Sequence, residues 1–217
     1  MELTDIHRQQ ILQAAQTEKV LVFTTKTFDA EVQEYVELLL GEYLKALGMG
    51  RFQDQLLFCL KELGVNAKKA NIKRLYFKEK GLNMKVEGDY SRGMAQFKST
   101  TLGNQDFYLD LVKASDLTIR FEFQVHQGCL TLAVKNTSEL LEWERRIIMD
   151  KIAKAQRYES LEDAFAEVLD ETEGAGLGLV VMILMLKNLG FRGSFFSLYT
   201  LNQQTVARII LPLIPQS

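Results

Sequence analysis

The sequence predicts an α/β (α+β) fold, a two-layer sandwich. A mixed, mostly antiparallel sheet carries helices on one face, and a helical extension precedes it. Three observations carry this. Residues 117–125 and 129–135 alternate apolar with polar side chains around His126-Gln127-Gly128, which is a hairpin signal. Residues 193–200 and 205–213 repeat the pattern around Asn202-Gln203. The remaining segments are mostly helical and do not alternate one-for-one with strands, as a doubly wound parallel sheet would require.

The elements follow in order. Residues 3–18 read as a helix and KVLVFTT, 19–25, as a strand. Thr27 or Asp29 caps a helix to about Leu47, and Gly48 stops it. A further helix runs from Phe52 to about Ala70, and KRLYF, 73–77, reads as a short strand. Residues 81–115 form an insertion without a clear period, with helical character from 104 to 114. The charged stretch 139–169 is helical, with a break near Glu159-Ser160. Leu177 opens an apolar helix to 189, which Gly190 ends. The organisation expected is a helical extension over 1–50, packed on a main domain over 51–217.

Composition narrows the function classes. The 217 residues include 47% hydrophobic and 25% charged side chains, ordinary for a globular protein. A net charge of -2 gives no bulk attraction to nucleic acid. Cys59 and Cys129 match no metal spacing and read as buried thiols in a reducing compartment. The polar N-terminus is no signal peptide, and the longest apolar run, 177–186, is too short for a membrane span. These features point to a cytoplasmic protein.

Two stretches carry candidate chemistry. In FQDQLLFCLKELGVNAKKA, helical spacing puts Leu56, Leu60, Leu63, Ala67 and Ala70 on one stripe. Glu62, Asn66 and Lys69 fall on a second. An acid, an amide oxygen and an ammonium in line suit a metal-bound nucleotide: the carboxylate as a base, the amide as a hard ligand, the lysine for a phosphate. The bland alternative is a solvated helix face. The second stretch is EGAGLGL, 173–179. Its glycines permit close backbone approach, and a helix start binds anions. It is neither a Walker loop nor a dinucleotide fingerprint, so a simple turn before a core helix stays open. Thr205 opens the last strand.

The order Glu62-x-x-x-Asn66-Ala-x-Lys69, a hairpin, Gly174-x-Gly176-Leu177-Gly178-Leu and a final Thr205 strand resembles one family. It is the ATP-binding domain shared by sensor histidine kinases, DNA gyrase, mismatch-repair ATPases, the heat-shock chaperone ATPase and anti-sigma-factor kinases. The resemblance covers about 52–213. It implies the Bergerat sandwich, with ATP or ADP and Mg²⁺ held between helices and a lid. It implies that Asn66 ligates the metal, Glu62 serves as general base and Lys69 contacts phosphate. Gly174, Gly176, Leu177 and Gly178 would frame the phosphates, with Thr205 near the adenine. Where the family carries an aspartate followed by glycines, this chain has Asn136, Thr137 and Ser138. An amide oxygen still accepts a hydrogen bond from adenine, without the charge. The charged stretch 141–170 stands in the lid's place.

The resemblance implies an ATP-dependent protein kinase or ATPase in two-component-type signalling. A regulatory nucleotide-binding or pseudo-kinase module is the alternative. His7 is followed by Arg8, not by the acid usual after a phosphoacceptor, and His126 sits in a turn. A partner protein, of response-regulator or sigma-factor-regulator type, is therefore the expected acceptor. No transducer domain is expected after Leu213, and a homodimer stays open.

Overall fold

A computed structural model describes residues 3–158, 162, 177–189 and 195–213. Among these, five strands form one sheet in the order β1-β2-β3-β5-β4, with every neighbouring pair antiparallel. The strands are β1 (Leu21–Thr25), β2 (Ile119–His126), β3 (Cys129–Asn136), β4 (Phe196–Leu201) and β5 (Gln204–Pro212). The helices are α1 (Asp5–Gln16), α2 (Ala30–Ala46), α3 (Gln53–Glu79), α4 (Glu87–Gly103), α5 (Gln105–Ala114), α6 (Glu142–Arg157) and α7 (Leu177–Asn188). The sheet is thus antiparallel throughout its described strands, where a mixed one was expected. The α+β sandwich stands.

Local chemistry explains most boundaries. Thr4 and His7 form a reciprocal cap on α1. Asp29 Oδ1 accepts the Val32 N–H at 3.1 Å to start α2. Gly48, at φ 67°, takes the left-handed turn that ends it. Both hairpins turn on two residues of positive φ, Gln127-Gly128 and Asn202-Gln203, which matches the twist of antiparallel strands.

Helices cover one sheet face. Phe121, Phe123, Leu132, Ile209 and Leu211 are fully buried there, with Leu40, Tyr43, Leu56 and Leu60 from the helices. The opposite face carries ion pairs: Glu122 meets Arg120 and Lys135, each at 2.7 Å. Residues 3–50 share this one core, and β1 is the sheet's edge strand, paired with β2 from Leu21↔Phe123 to Thr25↔Ile119.

The segment KRLYF is not a strand. It continues α3, which runs 27 residues. Its β-prone side chains match helical spacing equally well. Tyr76 and Phe77 are buried in a second, smaller core with Met84, Tyr108 and Leu141. The insertion supplies most of that core through α4 and α5. Tyr90 stacks on Phe77 at 5.8 Å, and Trp143 of α6 meets Tyr90 edge-on at 5.7 Å.

A charge cluster fixes the start of α6. Glu144, 6% exposed, contacts Lys73 Nζ and accepts from Arg74 Nη2 at 2.9 Å and from the Leu141 N–H at 3.1 Å. Burial alone would raise the Glu144 pKa. The Arg74 hydrogen bond and the charges of Lys73 and Arg74 outweigh it and hold the carboxyl below its ordinary value. Burial lowers the Lys73 pKa against the pull of Glu144. The pair responds unequally because Glu144 faces two cations while Lys73 shares one anion with Arg74.

Two predictions follow from packing and charge. Glu144→Gln leaves two largely buried cations without an anion and should cost roughly 3–5 kcal/mol at neutral pH. Because the folded pKa of Glu144 is depressed, its contribution is present above the unfolded carboxylate pKa and lost as pH falls through the folded value. Urea midpoints of wild type and Glu144→Gln should converge under acid; a constant gap would refute the charge account. Separately, a Cβ on Gly64 would lie 2.5 Å from the Phe28 ring, whereas one on Gly88 meets nothing within 4 Å. Gly64→Ala should destabilise by about 1–3 kcal/mol. Gly88→Ala should stabilise by up to about 1 kcal/mol. Thermal melts of the two variants should move in opposite directions.

Candidate functional site

The first half of α3 divides as its spacing predicts. Leu56, Leu60, Leu63 and Ala67 are buried, and Ala70 is half-buried. On the other line Glu62 is half-exposed, and Asn66 and Lys69 are exposed. The line therefore offers a carboxylate, an amide and an ammonium to solvent. One turn further, Lys73 continues it and is tied to Glu144.

Glu62 meets the start of α7. A Cβ on Gly178 would overlap the Glu62 carboxylate, so with any other residue there the Glu62 side chain must swing aside. The first turn of α7 contains no acidic residue of its own. A helix start carries partial positive charge, and Glu62 brings an anion near it from another helix. Leu177 is the first residue of α7. Gly174 and Gly176 lie outside the described residues.

Asn136 and Thr205 face each other as register partners at the ends of β3 and β5. Counting by twos from Leu130, Leu132 and Val134, Asn136 points to the helix-covered face and ends that apolar row. It is 5% exposed, and its amide nitrogen donates to Ser138 Oγ and to Asn71 Oδ1, the latter at 3.4 Å. No described residue donates to its side-chain carbonyl. Thr205 Oγ1 donates to the Ser138 carbonyl at 2.7 Å. Asn71 Nδ2 donates to the Thr118 carbonyl at 3.2 Å. This knot joins α3 to the strand ends.

Of the described sequence-predicted residues, Glu62, Asn66 and Lys69 lie on α3, Gly178 packs against Glu62, and Asn136 bonds Asn71 of α3. Glu62 joins α3 to α7, Asn71 joins it to Asn136 and Thr205, and Asn66 and Lys69 lie between. Asn71 was missed by the sequence reading. It follows Ala67 by one turn on the core stripe, and an amide on an apolar stripe signals a buried polar partner. Glu144, missed too, shows only as an acid in the first turn of α6.

The donor types on this line are ones that could serve a metal-bound nucleotide. Among the described residues no group of three or more His, Cys, Asp or Glu could hold a metal. Mg²⁺ commonly keeps several waters and takes one or two protein ligands beside substrate phosphates. Asn66 and Glu62 meet that smaller requirement. The two histidines have structural work. His7 completes the α1 cap, and His126 Nδ1 pairs with Glu18 at 3.0 Å. Cys59 is buried, and burial pushes its thiol up to about 12. Among the described residues no helix is long and apolar enough to cross a membrane.

No family model matches the chain, and no solved structure matches it. It is 37% identical over 207 residues to an uncharacterized protein of Treponema pallidum (strain Nichols). That alignment covers 95% of this chain and 40% of the relative, so the chain spans well under half of the relative's length.

Proposed function

We propose that this chain is a magnesium-nucleotide-binding domain of the histidine-kinase-like kind, acting in cytoplasmic signalling. The observation that carries this reading is the seating of Gly178 against the Glu62 carboxylate. It joins the acid of the Glu-Asn-Lys line to the glycine-opened helix, two motifs more than a hundred residues apart in sequence. A helix face that is merely solvated has no need of a glycine across from its carboxylate.

In this reading Asn66 gives its amide oxygen to Mg²⁺ and Lys69 gives its ammonium to a phosphate. Leu177 and Gly178 present the start of α7, with Gly174 and Gly176 completing the glycine loop. Asn136, through its side-chain carbonyl, and Thr205 would stand at the base end. ATP would supply a transferable phosphoryl group. Glu62 is the group able to take a proton from an attacking hydroxyl or water, which makes it the candidate general base of a kinase or ATPase. A partner protein, of response-regulator or sigma-factor-regulator type, would supply a phosphoacceptor, because His7 and His126 are engaged elsewhere.

The position of Glu62 adds a metal requirement. Its carboxylate lies beside Gly178 at the start of α7, so a phosphate arriving there alone would meet like charge, which Mg²⁺ would relieve. Calorimetry should therefore give binding of ATP or ADP with Mg²⁺ and little with chelator present. Asn66→Ala should weaken Mg-ATP roughly tenfold or more, about 1.4 kcal/mol. Glu62→Gln should narrow the difference between the two conditions. Wild type giving no heat with Mg-ATP would sink the nucleotide reading. Unchanged affinity in Asn66→Ala would sink the metal assignment. Phosphoryl transfer from labelled ATP to water or a partner, lost in Glu62→Gln, distinguishes an enzyme from a regulatory module.

A further inference from the structure

A cavity lies beyond the nucleotide line. It is an open pocket of about 600 Å³ between the last turns of α3, the connection to α4 and the residues following β3. That volume falls within the range of small-molecule sites. Its apolar wall is Phe77, Leu82, Met84 and Leu141. Its polar wall carries Arg74, Lys78 and Lys85 against a single carboxylate, Glu139.

The cations are not equally committed. Arg74 is bound to Glu144 and to the Glu139 carbonyl, and its Nη1 lies 3.0 Å from Met84 Sδ. It belongs to the wall. Lys85 reaches Glu139 only at 3.7 Å, with the two side chains 70% and 52% exposed, so water screens that pair. Lys78 is exposed and pairs with no carboxylate among the described residues. Lys78 is thus without a carboxylate partner among the described residues, and Lys85 holds only a solvent-screened one, beside an apolar floor. Thr137 adds a hydroxyl on the strand side; its oxygen accepts the Thr118 N–H at 2.8 Å, which leaves its proton for another acceptor.

We propose that this pocket binds an amphipathic organic anion: an aromatic or short aliphatic body bearing a carboxylate, sulfonate or phosphate. The body packs on Phe77, Leu82, Met84 and Leu141, and the charge meets Lys78 and Lys85. The site is separate from the nucleotide line. Lys78 stands about 18 Å along α3 from Asn66, at 1.5 Å per residue. The walls come from the helix overhang and the 81–86 connection, so the insertion builds a site of its own. A solvated lysine pair on an apolar-free surface would need no such floor.

The test uses the whole chain and anilinonaphthalene sulfonate, an aromatic body with one sulfonate. Trp143 is the only tryptophan and packs in the same small core. Dye should bind saturably at one site, quenching Trp143 as dye emission rises. Lys78→Glu with Lys85→Glu should weaken dye roughly tenfold or more while circular dichroism stays unchanged. Lys78→Gln with Lys85→Gln should weaken it less, tracking charge. Asn66→Ala should leave dye binding intact, so failure of the nucleotide reading and failure of this one are told apart. Absence of saturable dye binding, or binding that the charge-reversed variant leaves unchanged, overturns the proposal.

Discussion

α3 is longer than the sheet it packs on. Its first turns lie over β2 and β3, where Leu56, Leu60, Leu63 and Ala67 bury themselves in the main core. At Asn71 the support ends, because Asn136 and Thr205 are the last residues of their strands to face it. The helix nonetheless continues to Glu79. An isolated helical overhang of this length is unstable in water, since helix stability comes mainly from tertiary cover. The overhang must bring its own cover. α4, α5 and the start of α6 meet that need through the cluster around Tyr76 and Phe77.

The same overhang explains why charge appears in the small core. Lys73 and Arg74 fall where α3 leaves the sheet, and both side chains are largely buried, at 17% and 19% exposed. Burying two cations is costly unless an anion is buried with them. Glu144 is that anion, and its third contact, the Leu141 N–H, also satisfies an unpaired group at the start of α6. One carboxylate thereby sets where α6 begins and which face it turns to α3. Apolar contacts alone tolerate sliding of α6; a two-cation clamp of fixed geometry does not. The pocket beside Arg74 exists because the guanidinium is held in the wall.

Much of this was legible in sequence wherever a local rule governs. The 3.6-residue stripe from Leu56 to Ala67, the Asp29 cap, the Gly48 stop and both hairpin turns each depend on neighbours a few residues away. KRLYF was misread as a strand because Tyr and Phe carry strand propensity, and propensity yields to cover: Tyr76 and Phe77 are helical because α4 and α5 bury them. The insertion hid its helices for a related reason. α4 fully buries only Gly93, against Phe77, and its stripe of Tyr90, Met94 and Phe97 is only half-buried, so it shows a weak period to read. Asn71 and Glu144 are set by partners 65 and 71 residues away, and no periodicity reaches that far.

The three helices around the candidate site are tied at different points, and the ties define its frame. α3 and α7 touch where Gly178 admits Glu62. α3 and α6 are clamped where Glu144 takes Lys73, the next residue on the line of Glu62, Asn66 and Lys69. α6 and α7 pack along their lengths and are joined at their ends, where Lys187 Nζ donates to the carbonyls of Gln156 and Tyr158 at 3.1 and 2.8 Å. Asn66 and Lys69 lie between the first two ties and stay exposed. A polar line that served only to face water would need neither a glycine at one end nor a buried carboxylate at the other. Here the exposed middle of the line is the part held at both ends. The ties fix the helix that carries these two side chains, and a side chain is only as well placed as the element that carries it.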